Sequence, residues 1–123
     1  MEKKKILIVE DEVILCNVLY DKLIREGFIA LKAGDGKEGI EVALREHPDL
    51  ILLDIIMPVM DGITALKKLR EDEWGKDVKI IILSNLNDNE RVAEAMSQGT
   101  YDFFVKSDWN LEDVVIKIRK MIE

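Results

Sequence analysis

The chain has little of what staples, anchors or breaks a fold: one cysteine, two prolines, seven glycines and 6 % aromatic residues in 123 positions. A single Cys16 rules out an internal disulfide framework and fits a reducing compartment. No apolar stretch is long enough to cross a bilayer, and no signal-peptide pattern or low-complexity linker is visible. Basic residues are in deficit, 18 Lys and Arg against 25 Asp and Glu, for a formal charge of −7. That balance argues against direct nucleic-acid binding and against an anionic membrane surface. The one basic run, Lys3-Lys4-Lys5, abuts the first apolar segment, where lysines discourage unwanted strand pairing. The expectation is a cytoplasmic protein.

What is present is an ordinary globular balance, 48 % hydrophobic and 35 % charged, in a chain long enough for one domain over residues 1–123. The apolar pattern alternates between strand and helix. Lys5 to Val9 reads as a strand. Val13 to Arg25 recurs at helical spacing through Val13, Ile14, Val18, Leu19 and Leu23, with Gly27 as a stop. A second strand follows from Phe28 to Ala33. Asp35 then caps a helix carrying Ile40, Ala43 and Leu44, which ends at His47-Pro48. Leu50 to Asp54 and Lys79 to Ser84 are apolar on both parities, the mark of strands buried on both faces of a parallel sheet. Between them lies a helix through Ile63, Leu66 and Leu69. Asn87 with Glu90 predicts a capped helix ending at Gly99, Asp102 to Lys106 a short fifth strand, and Asn110 the cap of a last helix striped by Leu111, Val114, Val115, Ile118 and Ile122. The fold class is α/β: a doubly wound five-stranded parallel sheet with five helices.

In such a sheet the carboxyl ends of the strands share one edge, where ligands bind. That edge would collect Glu10, Asp11 and Glu12 after the first strand, Asp54 after the third, Ser84 after the fourth and Lys106 after the fifth. Lone acids after strands often serve only as helix caps or dipole partners. Here several separate strand ends deliver complementary groups to one place. Carboxylates packed so closely repel, so that one protonates or a hard cation binds among them. Mg2+ suits such oxygen donors, with a carbonyl near Ile56 available to complete the set. The lysine and hydroxyl then make sense as ligands for a phosphoryl group.

These residues resemble the receiver (CheY-like) domain of two-component response regulators. The resemblance covers essentially the whole chain: the acidic pair Glu10-Asp11, Asp54 within Leu-Leu-Asp-Ile-Ile-Met-Pro-Val-Met-Asp-Gly, the hydroxyl of Ser84, the aromatic Phe103, and Lys106. It implies a flavodoxin-like (βα)5 fold and Mg2+-dependent transfer of a phosphoryl group to Asp54 from a sensor histidine kinase or phosphotransfer protein. It further implies that Asp11, Asp54 and the Ile56 carbonyl ligate the metal, with Glu10 assisting. Lys106 would hold the phosphoryl oxygens, and Ser84 with Phe103 would switch the surface of the fourth helix, fifth strand and fifth helix toward an effector protein or output domain. Such a chain is a phosphoacceptor switch rather than an enzyme on a separate substrate, and a phosphorylation-dependent homodimer through the switching face fits it.

The sequence departs from the family pattern in three places. Ser107 follows Lys106 where proline joined by a cis bond is usual; a cis bond to serine costs about 3 kcal/mol, so a trans peptide is expected. Asn85 follows Ser84 where a small residue is common, and Phe103 carries no hydroxyl. Ile56 and Leu86, two residues past Asp54 and Ser84, are apolar and poor at orienting water, which predicts slow self-dephosphorylation. Cys16, His47, Met57, Met60 and Trp74 are read as packing; Trp109 follows Lys106 closely, near the expected switching surface, and is read as partly buried against the last helix. A flavodoxin-type carrier would need a Ser/Thr/Gly-rich phosphate loop where Glu10-Asp11-Glu12 stands. A phosphatase of the haloacid dehalogenase type would need a second aspartate where Ile56 stands. A phosphorylation-independent receiver-like binding module remains the alternative, although no key residue is missing. The receiver pattern takes up all 123 residues, as expected of a free-standing regulator or of the receiver piece of a longer protein.

Overall fold

The computed structural model describes residues 3–85, 89–100, 102–107 and 110–123. Its order is β1 (Lys5–Val9), α1 (Val13–Arg25), β2 (Ile29–Ala33), α2 (Gly36–Glu46), β3 (Leu50–Asp54), α3 (Gly62–Arg70), β4 (Lys79–Ser84), α4 (Asn89–Ser97), β5 (Asp102–Val105) and α5 (Leu111–Ile122). All strand pairs are parallel, in the order β2-β1-β3-β4-β5. The fold is the expected five-stranded α/β sheet.

The two-parity apolar pattern explains the layering. On β1, β3 and β4, Leu7, Val9, Ile51, Leu53, Ile80 and Ile82 face one core with Val42 and Ala43 of α2, Ile63, Leu66 and Leu69 of α3, and Ala95 of α4. The alternate residues Ile6, Ile8, Leu50, Leu52, Ile81 and Leu83 face a second core with Cys16, Leu19 and Leu23 of α1 and Val114, Val115 and Ile118 of α5. Each such side chain contributes about 1.5–3 kcal/mol by leaving water, so strands apolar on both faces are driven to the middle of the sheet. The chain leaves β1 toward β2 and returns past it to β3. The direction of winding thus reverses between β1 and β3, opening a crevice at their carboxyl ends.

Local expectations hold in most places. Asp35 accepts from the Glu38 N–H at 2.9 Å, and Asn110 from the Asp113 N–H at 2.9 Å, as capping residues do. Gly27 and Gly99 follow α1 and α4 with positive φ. Asp61 caps α3 by accepting from the Thr64 N–H at 2.8 Å. The expected stripe of α1 needs correction. Leu19 and Leu23 are buried, but Val13, Ile14 and Val18 face solvent, and Cys16 takes the third core position. The face that meets the sheet repeats as Cys16, Leu19 and Leu23, and Val13 and Ile14 lie in the first turn off that line. Leu44 of α2 is likewise exposed, and Val42 is buried. The expected caps and contacts at Asn87, Leu86 and Trp109 fall outside the described residues.

Candidate functional site

The crevice holds the acids that the strand ends bring to it. Asp54, the last residue of β3, is 3 % exposed, and Glu10, directly after β1, is 2 % exposed. Asp11 follows at the surface. One carboxylate oxygen from each of Glu10, Asp11 and Asp54 lies within 4.8 Å of the other two. The strand ladder places them: Val9 pairs with Leu53, so the residues after β1 stand beside Asp54 at the end of β3.

Lys106 enters from the end of β5, held by its backbone N–H to the Ser84 carbonyl at 2.7 Å. Its Nζ lies 3.1 Å from Asp54 Oδ2 and 2.7 Å from Glu10 Oε1. The second contact is an ion pair without hydrogen-bond alignment, since the buried Glu10 Oε1 accepts no aligned hydrogen bond. Glu12 Oε1 lies 3.3 Å from the same ammonium. The other Asp54 oxygen, Oδ1, accepts from the Ile56 N–H at 3.3 Å. Ser84, buried at the end of β4, donates its hydroxyl to the Phe104 carbonyl at 3.2 Å. Phe103 stands on β5 with 39 % of its surface exposed. The Lys106–Ser107 peptide is trans, as expected.

Charge is out of balance at this spot. Burial, reinforced by the neighbouring Glu10 charge, raises Asp54 from an ordinary 3.8 to about 8 despite the opposing pull of Lys106. Burial alone would lower Lys106, but Glu10 and Asp54 outweigh it and hold the ammonium above its ordinary range. One ammonium therefore serves two buried carboxylates, with Asp11 and Glu12 adding further negative charge at the rim. An oxygen-rich, anion-excess cluster with a buried oxygen lacking an aligned donor is the donor set that a hard divalent cation fits.

The loop after β3 is built to fold back on the site. Gly62 N–H donates to the Ile55 carbonyl at 2.7 Å, and Gly36 N–H to the Met60 carbonyl at 3.0 Å. Val59, at the loop's exposed tip, has φ 69, an uncommon conformation for a β-branched residue. His47 and Trp74 meet far from this chemistry. Their rings stack at 4.5 Å beside a cleft of about 470 Å3 at the amino-terminal edge of the sheet. That cleft lacks the acid cluster and lies opposite the strand ends that carry it.

Residues 6–119 match the model of the response regulator receiver domain. The chain belongs to that family. It is 36 % identical to the chemotaxis protein CheY of Bacillus subtilis over 103 residues, 83 % of this chain and 84 % of that protein. It is 33 % identical over 122 residues to the probable transcriptional regulator ycf27 of Porphyridium aerugineum, covering 99 % of this chain and 49 % of that one. The receiver thus spans about half the length of several relatives it matches. Among solved structures, the receiver domain of sensor histidine kinase PA1611 from Pseudomonas aeruginosa, with magnesium in its active-site cleft, superposes with a TM-score of 0.88 at 27 % identity, covering 98 % of each chain. Vibrio cholerae CheY4 gives 0.89 at 26 % identity, covering 98 % of this chain and 99 % of that one.

Sequence reasoning named every residue of this receiver's cluster. Glu12 is expected only at the edge, as a cap or dipole partner of α1, and its contact with Lys106 is found only in the structure. A third acid in Glu10-Asp11-Glu12 was the available signal. No helix is long and apolar enough to cross a membrane among the described residues.

Proposed function

We propose that this receiver accepts a phosphoryl group on Asp54 in a Mg2+-dependent reaction and passes the signal through its α4-β5-α5 surface. The observation that carries the reading is one buried carboxylate held between an acid cluster and a lysine at the carboxyl edge of the sheet. Asp11, Asp54 and the Ile56 carbonyl would hold Mg2+, with Glu10 assisting, and the bound ion would supply the positive charge that lets a carboxylate meet a dianionic phosphoryl group. Asp54 is the nucleophile. Lys106, already oriented by Asp54, would bind a phosphoryl oxygen and keep the group in line. The chain would thus promote its own phosphorylation and slow hydrolysis, rather than turn over a separate substrate.

The output follows from two side chains. The Ser84 hydroxyl, now spent on the Phe104 carbonyl, would leave that bond for the phosphoryl group. Phe103, half exposed on β5, would turn inward by packing alone, having no hydroxyl to bond. Such a shift works as a two-state element biased by local charge, through the differential affinity of its two conformations for the phosphoryl group. Ile56 offers no polar group to orient water beside Asp54, which favours a long-lived acyl phosphate. Receiver domains of response regulators work with histidine kinases and effector domains. The donor here would be a histidine kinase or phosphotransfer protein, the recipient an effector protein or output domain, with a homodimer through the switching face as one form of output.

Intact mass after incubation with acetyl phosphate tests the reading. Gain of one phosphoryl group that requires Mg2+ and is lost in Asp54→Asn supports it. No gain, together with no binding of beryllofluoride in Mg2+, would leave a binding module that works without phosphorylation.

A further inference from the structure

Glu12 stands at the N-cap of α1, yet its side chain caps nothing. Its N–H donates to Glu10 Oε2 at 3.0 Å, and its carboxylate reaches across the crevice to Lys106. The Lys106 ammonium therefore faces three carboxylates, Glu10 at 2.7 Å, Asp54 at 3.1 Å and Glu12 at 3.3 Å. An ammonium has three protons and no acceptor. Two of its donor directions are taken by aligned hydrogen bonds, to Asp54 and to Glu12, while Glu10 holds it by charge without alignment.

These acids differ in their freedom to leave. Glu10 and Asp54 are buried at strand ends and fixed by the sheet. The Glu12 side chain is 62 % exposed and can return its carboxylate to water at little cost. It also borders a cleft of about 500 Å3 lined by Leu15, Asn85, Lys106 and Ser107, through which Lys106 meets solvent. A phosphoryl oxygen arriving at Asp54 needs a Lys106 proton, and of the two aligned hydrogen bonds the one to Glu12 ends on an exposed acid that can release it.

We propose that Glu12 is a positioning residue that acts as an anionic plug on Lys106, competing with the incoming phosphoryl group and slowing the loading of Asp54 by small donors. The inference rests on the phosphoacceptor reading above. In the transfer itself the Asp54 carboxylate forms the new bond to phosphorus. The bond from phosphorus to the donor's leaving oxygen or nitrogen breaks, and the leaving group keeps that electron pair. Glu12 makes and breaks no covalent bond; it only surrenders its contact with Lys106.

The test measures beryllofluoride affinity and the rate of loading by acetyl phosphate, both at saturating Mg2+, for wild type, Glu12→Ala and Glu12→Asp. Glu12→Ala removes the plug. Glu12→Asp keeps the charge but shortens the reach to Lys106 by one methylene. Both variants are expected to bind beryllofluoride about two- to fivefold more tightly and to load faster by a similar factor, the size of one exposed ion pair. A merely structural role for Glu12 would weaken binding in both. A gain in Glu12→Ala without one in Glu12→Asp would make Glu12 a diffuse repelling charge and overturn the plug, as would no gain in either. Wild type that neither binds beryllofluoride nor loads would instead remove the phosphoacceptor reading itself.

Discussion

A β-carbon on Gly62 would lie 2.0 Å from the carbonyl oxygen of Asp54 and 2.8 Å from the Cα of Ile55. Helix α3 thus begins in contact with the backbone of the residue that carries the central carboxylate. The Asp61 cap and the Gly62 N–H to Ile55 hold that approach. The position of Asp54 depends on a residue with no side chain.

Gly62→Ala is therefore expected to destabilise the fold by about 2–3 kcal/mol, because the obstacle is backbone and cannot turn aside. Urea unfolding checks this. A midpoint equal to wild type with the same denaturant slope would mean the loop has room that its geometry denies.

Without metal, stability should fall as pH rises. Folded Asp54 holds its proton to about 8, against an ordinary 3.8. Across that interval the native state binds more protons than the unfolded chain, so the Asp54 contribution declines from about pH 4 to about pH 8 and is level beyond. Asp54→Asn removes the decline. In chelator at pH 9 it should exceed wild type by several kcal/mol, the gap closing toward pH 4. Mg2+ needs the charged carboxylate, so its stabilisation of wild type should grow over the same interval. Thermal unfolding in chelator and in Mg2+ across this range reads both. A gap between Asp54→Asn and wild type that does not vary with pH would refute the assignment.

Lys106→Met leaves Glu10 and Asp54 buried without a counter-charge. A loss of about 3 kcal/mol is expected at pH 8 without metal, shrinking as the pH falls and Asp54 protonates. The folded ammonium is held above its ordinary 10.5, so its contribution is full below that value and disappears as the pH rises beyond it. Denaturant titrations of both proteins at pH 5 and pH 8 decide the matter; equal losses at the two values would show that the lysine acts by packing.

Val59 adopts φ 69 while 78 % exposed, so its strain is not repaid by burial. Asparagine tolerates this conformation, and Val59→Asn should stabilise the protein by about 1 kcal/mol. A glycine there would relax the strain but add unfolded-chain entropy, for a smaller gain. Chemical unfolding of the two variants gives the order directly.

Much of this architecture was legible because burial on both faces leaves a plain trace. Ile80 to Leu83 is apolar on both parities and occupies the sheet interior, and Asp35, Asn110 and Gly27 mark helix ends where short-range rules apply. The acid cluster was legible for the same reason, since parallel strands must gather their carboxyl ends. The exposed face of α1 was not. Val13 and Ile14 are as apolar as Leu19, and only the rotation of the helix against the sheet shows which residues meet it. Nor could spacing reveal that the Glu12 side chain would turn to Lys106 instead of capping α1, or that His47 would stack on Trp74. Those contacts join segments separated by 94 residues in the first case and by β3 and α3 in the second.

On the proposed function, Asp54 alone among the clustered carboxylates forms an acyl phosphate. Reductive trapping after loading with acetyl phosphate in Mg2+ tests it most directly, because borohydride converts an aspartyl phosphate to homoserine at the modified position. Peptide mapping is expected to find homoserine at residue 54 only, and none when Mg2+ is chelated. Homoserine at Asp11, the corresponding reduced product at Glu10 or Glu12, or an unmodified Asp54 in a protein that has gained a phosphoryl group, would contradict it.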